Sequence, residues 1–166
     1  MPATVEGITA GDSTRLRIRT GSGTTYELTV ARDSTVPPGA PPTRTEVVGE
    51  RPGAAVVVVD TYPSAPLGMS FCQAGEERFL RVVATRDGRA GETMRLKLAS
   101  CRENLELATP GLEWLPDSSA GRVHWLLGPG GNGAPSARTI RIGADGRPLS
   151  AASPARATAT PRAAPA

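Results

Sequence analysis

The chain has 166 residues, a formal net charge of +3, 4% aromatic residues, 19 glycines and 16 prolines. This length fits one domain with its own core, and few aromatics with many turn residues favour short strands over long helices. The arginines are scattered among acidic residues, which argues against a nucleic-acid surface, and no segment is long and apolar enough to span a bilayer. The start, Met1-Pro2-Ala3-Thr4, lacks the apolar stretch of a signal peptide.

The first predicted hairpin lies between residues 14 and 30. Apolar residues alternate with polar ones from 14 to 19 and from 26 to 30, on either side of a Gly-Ser-Gly turn. Folding about Ser22 places Ile18 opposite Tyr26 and Arg17 opposite Glu27. The arginines of the first arm could form an anion-binding stripe, but nearby acids favour a solvated strand face.

The next segments predict a linker and a central strand. Residues 36–43 are rich in proline and predict an extended surface connection, followed by a short strand at 45–48. The continuous apolar run Ala54–Val59 is typical of a strand that is covered on both faces. We expect this strand to end at Asp60.

The segment after Asp60 is the predicted partner-binding surface. It carries apolar residues beside prolines, which cannot continue a sheet ladder. A loop of this composition either contacts a partner or folds its apolar side chains over the core. The predicted contact residues are Tyr62, Pro63, Leu67, Met69 and Phe71.

Cys72 and Cys101 are the only two cysteines, and they flank a predicted hairpin with arms at 78–86 and 92–100. An even pair in a β-rich chain favours a disulfide and an oxidising compartment, such as the periplasm or the cell exterior. A simple ladder places Cys101 opposite Glu77, so the disulfide requires a bend at Gly75.

Two tryptophans mark a further predicted hairpin. A short strand at 104–108 precedes two arms at 112–115 and 123–127, and folding between Ser119 and Ala120 places Trp114 opposite Trp125. Such a pair could serve as a sugar-binding platform, although core packing is the favoured interpretation. A glycine-rich connection, a strand at 139–142 and a disordered tail at 150–166 complete the chain, so residues 1–149 form the predicted domain.

The sequence lacks an assembled catalytic or metal-binding pattern. His124 is the only histidine, so it and two cysteines do not provide four zinc ligands, and no cofactor is predicted. An enzyme that uses His124 with Glu113 remains an alternative. The short segment from Phe71-Cys72 to Gly75 resembles the aromatic-cysteine entry of small periplasmic lysozyme inhibitors, whose later motifs this chain lacks.

These observations predict an all-β fold of about nine or ten short antiparallel strands in a sandwich or partly open barrel. The predicted function is that of an exported, periplasmic or secreted, non-catalytic domain that binds a protein partner. An inhibitor or immunity-type partner of an envelope-acting enzyme is the most concrete version. The alternatives are a carbohydrate-binding module that uses Trp114 and Trp125, and a structural envelope-associated protein.

Overall fold

The structure is a computed structural model that describes residues 1–65, 72, 74–130 and 133–149. It confirms the all-β prediction, because ten antiparallel strands form three sheets and the described residues contain no α-helix. The strands are β1 (Thr4–Ala10), β2 (Ser13–Arg19), β3 (Thr25–Ala31), β4 (Arg44–Arg51), β5 (Ala55–Pro63), β6 (Glu76–Arg86), β7 (Arg89–Ser100), β8 (Glu106–Leu115), β9 (Ala120–Leu127) and β10 (Ser136–Arg141). The predicted tail at 150–166 lies outside the described residues.

The central sheet has the order β4-β5-β6-β7 and lies between two three-stranded sheets. Val57 and Val59 of β5 pack with Trp125 and Ile140 of the β8–β10 sheet. Val56 and Val58 instead pack with Leu16 and Ile18 of β2. Every residue from Ala55 to Tyr62 is buried, which confirms a strand covered on both faces. The result is a three-layered stack of sheets.

The first sheet confirms the predicted hairpin and adds a strand to it. Ile18 pairs with Tyr26, and Arg17 pairs with Glu27, whose Oε1 lies 3.1 Å from Arg17 Nε. The sequence analysis missed β1, which pairs with β2 along its whole length. Its alternation is weak because Gly7 and Thr9 occupy part of its inward face.

The proline-rich connection is packed on the protein rather than running freely over its surface. Val36 and Ala40 are buried in a small core with Tyr62 and Phe79. The Arg32 guanidinium donates a hydrogen bond to the carbonyl of Ala40, and it also lies over the Tyr62 ring. The connection therefore covers one end of the central sheet.

Two predicted hairpin registers are wrong. The β6–β7 turn contains only Asp87-Gly88, both with positive φ, and irregularities in the ladder place Ser100, not Cys101, opposite Glu77. In the β8–β9 hairpin a 3₁₀ turn at Pro116–Ser118 closes the loop early.

The early closure of the β8–β9 hairpin removes the predicted tryptophan pair. Trp114 lies opposite Gly121, and Trp125 lies opposite Leu107. The segments predicted as separate strands at 104–108 and 112–115 belong largely to β8, whose register shifts between Leu107 and Leu112. A shift of this kind is a β-bulge or irregularity, which apolar alternation does not reveal.

A charged cluster is buried on the β2 side of the central sheet. Arg81 is fully buried and donates two hydrogen bonds to Asp60, at 2.7 Å and 2.8 Å, and one to Glu92 at 2.8 Å. The Tyr62 hydroxyl donates to Asp60 Oδ2 at 2.5 Å and lies 2.5 Å from Thr14 Oγ1. The cluster therefore joins the central sheet to β2.

The protonation of this cluster follows from its contacts. Burial by itself lowers the pKa of Arg81, but hydrogen bonds and charges from Asp60 and Glu92 raise it above its ordinary value. Burial and the Asp60 charge raise the pKa of the Tyr62 hydroxyl. Arg81 is therefore charged and Tyr62 is protonated at neutral pH.

Replacing Asp60 with alanine is expected to destabilise the protein strongly, because it removes the main partner of a buried positive charge. The expected loss is roughly 3–5 kcal/mol in the free energy of unfolding, measured by urea denaturation. The matched control is Glu27→Ala, which breaks the exposed ion pair with Arg17 and is expected to cost less than about 1 kcal/mol. Equal losses for the two variants would contradict this account of the cluster.

Candidate functional site

The base of the β5–β6 loop is held to the protein at several points. The Ser64 N–H donates to the Gly75 carbonyl at 3.0 Å, which closes the loop. The Ala65 N–H donates to the Thr35 carbonyl at 2.7 Å, which ties the loop to the β3–β4 connection. These bonds fix the direction in which the chain leaves β5 and returns to β6.

A disulfide between Cys72 and Cys101 provides a further attachment. The two Cα atoms lie 5.7 Å apart and the S–S distance is 2.07 Å. A Cβ added at Gly75 would lie only 2.6 Å from Cys101 Cβ. Glycine is thus required by the close packing of Cys101. The disulfide was predicted and is present; it is compatible with an oxidising compartment.

The predicted contact residues have different positions. Tyr62 is fully buried, so its prediction as a contact residue is wrong: its ring packs edge-on against Phe79, and its hydroxyl is engaged by Asp60. No local pattern indicates that the strand continues past Asp60 to Pro63, because Arg81, the buried partner of Asp60, is distant in the chain. Pro63 ends β5 and is half-buried. Leu67, Met69 and Phe71 lie outside the described residues.

A cluster around Lys97 lies beneath the loop base, and sequence reasoning missed it. Lys97 Nζ lies 2.7 Å from Asp33 Oδ2 and 3.3 Å from Glu77 Oε2. Glu77 is fully buried, and its Oε1 accepts hydrogen bonds from the Ser64 hydroxyl at 2.8 Å and the Arg102 N–H at 3.3 Å. The available signal was that Lys97 is the only lysine in the chain.

The electrostatics of the cluster favour a charged pair. Partial burial raises the pKa of Asp33, but hydrogen bonds from Lys97 and Thr35 lower it more, so its pKa lies below its ordinary value. The ammonium of Lys97 also lies 4.6 Å from the centre of the Phe79 ring. The Lys97 cluster therefore holds the loop base in place together with the disulfide.

The two tryptophans occupy separate environments. Trp125 is buried, and its indole N–H donates to the Leu98 carbonyl at 2.8 Å, so it cannot serve as a sugar platform. Trp114 is half-buried and lies flat over Gly49 of β4, where an added Cβ would be 2.1 Å from Cδ2 of the indole. It borders an open groove of about 540 Å³ that is also lined by Val48, Glu50, Pro52 and the chain start.

The described residues can also be checked for the His124–Glu113 pair, for a metal site and for a membrane-spanning helix. Glu113 lies opposite Arg122, and no hydrogen bond joins it to His124 among the described residues. Within the described part of the chain, no three His, Cys, Asp or Glu residues are grouped as a metal site. The same residues include no helix that is long and apolar enough to cross a membrane.

Comparison with known proteins adds no family to this description. No family model, curated protein or solved structure gives a significant match to the chain. The geometry of the described residues therefore carries the functional argument by itself.

Substituting Gly49 with alanine is expected to destabilise the protein, because the new methyl group would overlap the Trp114 indole. The expected loss is about 1–3 kcal/mol, as for other overpacked sites, measured by urea denaturation with tryptophan fluorescence as the signal. Gly91→Ala is the matched control, since Gly91 also lies in a strand but an added Cβ meets no atom within 4 Å. A stable Gly49→Ala variant with unchanged fluorescence would contradict the observed contact.

Proposed function

We propose that the protein is an exported, non-catalytic domain that binds another protein through the β5–β6 loop, as an inhibitor or immunity-type partner of an envelope-acting enzyme. The observation that carries this proposal is the fixed base of the loop. The chain on both sides of the loop is held by the disulfide to Cys101, by the Ser64–Gly75 hydrogen bond and by the Ala65–Thr35 hydrogen bond.

A fixed base favours binding because less conformational freedom is lost when the loop contacts a partner. The sequence between these attachments contains Leu67, Met69 and Phe71, which are residue types that fill pockets at protein interfaces. Pro63 and Pro66 restrict the backbone at the start of the loop. An apolar segment on a restrained frame is a suitable recognition element.

The buried polar groups of β5 and β6 are not arranged to contact a substrate. The Asp60, Arg81 and Tyr62 side chains are hydrogen-bonded to one another and lie inside the protein. Their position beneath the outer sheet separates them from any substrate that remains outside. The disulfide supports export, since such bonds form and persist in oxidising compartments.

A second candidate is carbohydrate binding, which the exposed side of the Trp114 groove favours. An aromatic ring beside a carboxylate, here Glu50, can hold a sugar ring by stacking and hydrogen bonding. Two features make this groove less suited to bind a sugar. Trp125 takes no part in it, and the Glu50 carboxylate already accepts hydrogen bonds from the Gly21 N–H, at 3.0 Å and 3.2 Å.

The loop proposal is tested by incubating the tagged chain with a native envelope fraction and identifying what it retains. The wild-type chain is expected to retain a hydrolase and to inhibit it in an activity assay. The double variant Leu67→Asp/Met69→Asp is expected to bind at least about tenfold more weakly, a loss typical of contact residues at the centre of an interface.

The matched control for this experiment is Leu126→Asp, which places the same charge at an exposed leucine far from the loop in sequence. It is expected to retain the hydrolase as the wild type does. Equal retention by the loop variant would overturn the proposal. Retention of polysaccharide alone, lost in Trp114→Ala, would favour the sugar-binding candidate instead.

A further inference from the structure

The Lys97 cluster holds an amine that is largely shielded from water against the carboxylate of Asp33, whose side chain is 31% exposed. Only 11% of the Lys97 side chain is exposed, and its Nζ lies 2.7 Å from Asp33 Oδ2. The side chain of Glu77, 3.3 Å from the same Nζ, is fully buried. Lys97 also packs over the Phe79 ring. An exposed surface ion pair has none of this shielding.

From this geometry we propose that Lys97 and Asp33 join covalently through a side-chain amide. The nitrogen of Lys97 attacks Cγ of Asp33, so that an Nζ–Cγ bond forms and the Cγ–Oδ2 bond breaks. An ammonium and a carboxylate together contain all the atoms of one amide and one water molecule. The reaction therefore releases water and requires no oxidant, reductant or other co-reactant.

Thr35 is positioned to stabilise the charge that develops in this reaction. Its N–H donates to Asp33 Oδ1 at 3.0 Å, and its hydroxyl donates to the same oxygen. Oδ1 is the oxygen that remains on carbon and becomes the amide carbonyl. Two fixed donors at that atom stabilise the negative charge of the tetrahedral intermediate, as an oxyanion hole does.

Glu77 is positioned to move the proton. Its Oε1 is occupied by the Ser64 hydroxyl and the Arg102 N–H, which leaves Oε2 directed at Lys97 Nζ. Oε2 takes two protons in succession from the nitrogen, the first of which frees the lone pair for attack, and delivers both to Oδ2, which leaves as water. Glu77 ends the reaction in the protonation state in which it began.

A comparison with the neighbouring carboxylate of Glu103 shows why Asp33 is the assigned acceptor. Glu103 Oε1 lies 4.0 Å from Lys97 Nζ, and its side chain is 49% exposed. It is farther from the amine than Asp33, and it is more exposed to water than Asp33, whose side chain is 31% exposed. The bond to Asp33 would tie the β3–β4 connection to β7, close to the disulfide and beneath the loop base.

Intact mass spectrometry of the purified, reduced full chain tests this proposal directly. The expected mass is lower than the sequence mass by one water molecule, and fragmentation is expected to show the Lys97 peptide joined to the Asp33 peptide. Because Lys97 is the only lysine, an amine-reactive label applied after unfolding is expected to leave residue 97 unmodified. A full sequence mass with labelled Lys97 overturns the proposal, as does a bond to Glu103.

Four variants assign the roles. Asp33→Asn is expected to give the same final mass as the linked wild type, because the amide nitrogen leaves as ammonia instead of water. Asp33→Ala and Glu77→Gln are expected to keep their full sequence masses, and Glu103→Ala to link as the wild type does. A linked Glu77→Gln chain would remove Glu77 from the reaction, and an unlinked Glu103→Ala chain would contradict the choice of acceptor.

Discussion

The burial of β5 on both faces is the constraint on which the rest of the structure depends. A strand of consecutive valines must be covered on each side, and the chain supplies one three-stranded sheet before it and another after it. Val57 and Val59 pack in the core shared with β8–β10, while Val56 and Val58 pack in the core shared with β1–β3. The two outer sheets together therefore cover β5 on both faces.

The same arrangement explains where the polar groups lie. Towards its C-terminal end β5 continues inside the protein with Asp60 and Tyr62, whose polar atoms require partners because they are buried. Arg81 from β6 and Thr14 from β2 provide them. Beyond this end the disulfide and the Lys97 cluster hold the loop that follows β5. The most buried strand thereby positions the proposed binding loop.

Several features could be predicted from residue patterns in the sequence alone. The Ile18–Tyr26 pairing, the double burial of the valine run and the disulfide all follow from alternation, composition and cysteine count. The Trp114–Trp125 pairing failed because the 3₁₀ turn and a ladder irregularity change the register without altering the alternation. The Lys97 cluster was missed because Asp33 lies in the β3–β4 connection and reaches Glu77 and Lys97 of the β6–β7 hairpin only when the chain packs. Tyr62 was misplaced for the same reason.

Hydrogen–deuterium exchange tests the central role of β5 most directly. Amides of β5 and of its neighbour β6 are expected to exchange most slowly, at rates set by global unfolding, because both outer sheets must separate before solvent reaches them. Amides of the β1–β3 and β8–β10 sheets are expected to exchange faster through local opening. Slower exchange in either outer sheet than in β5 would contradict a fold built around the doubly covered strand.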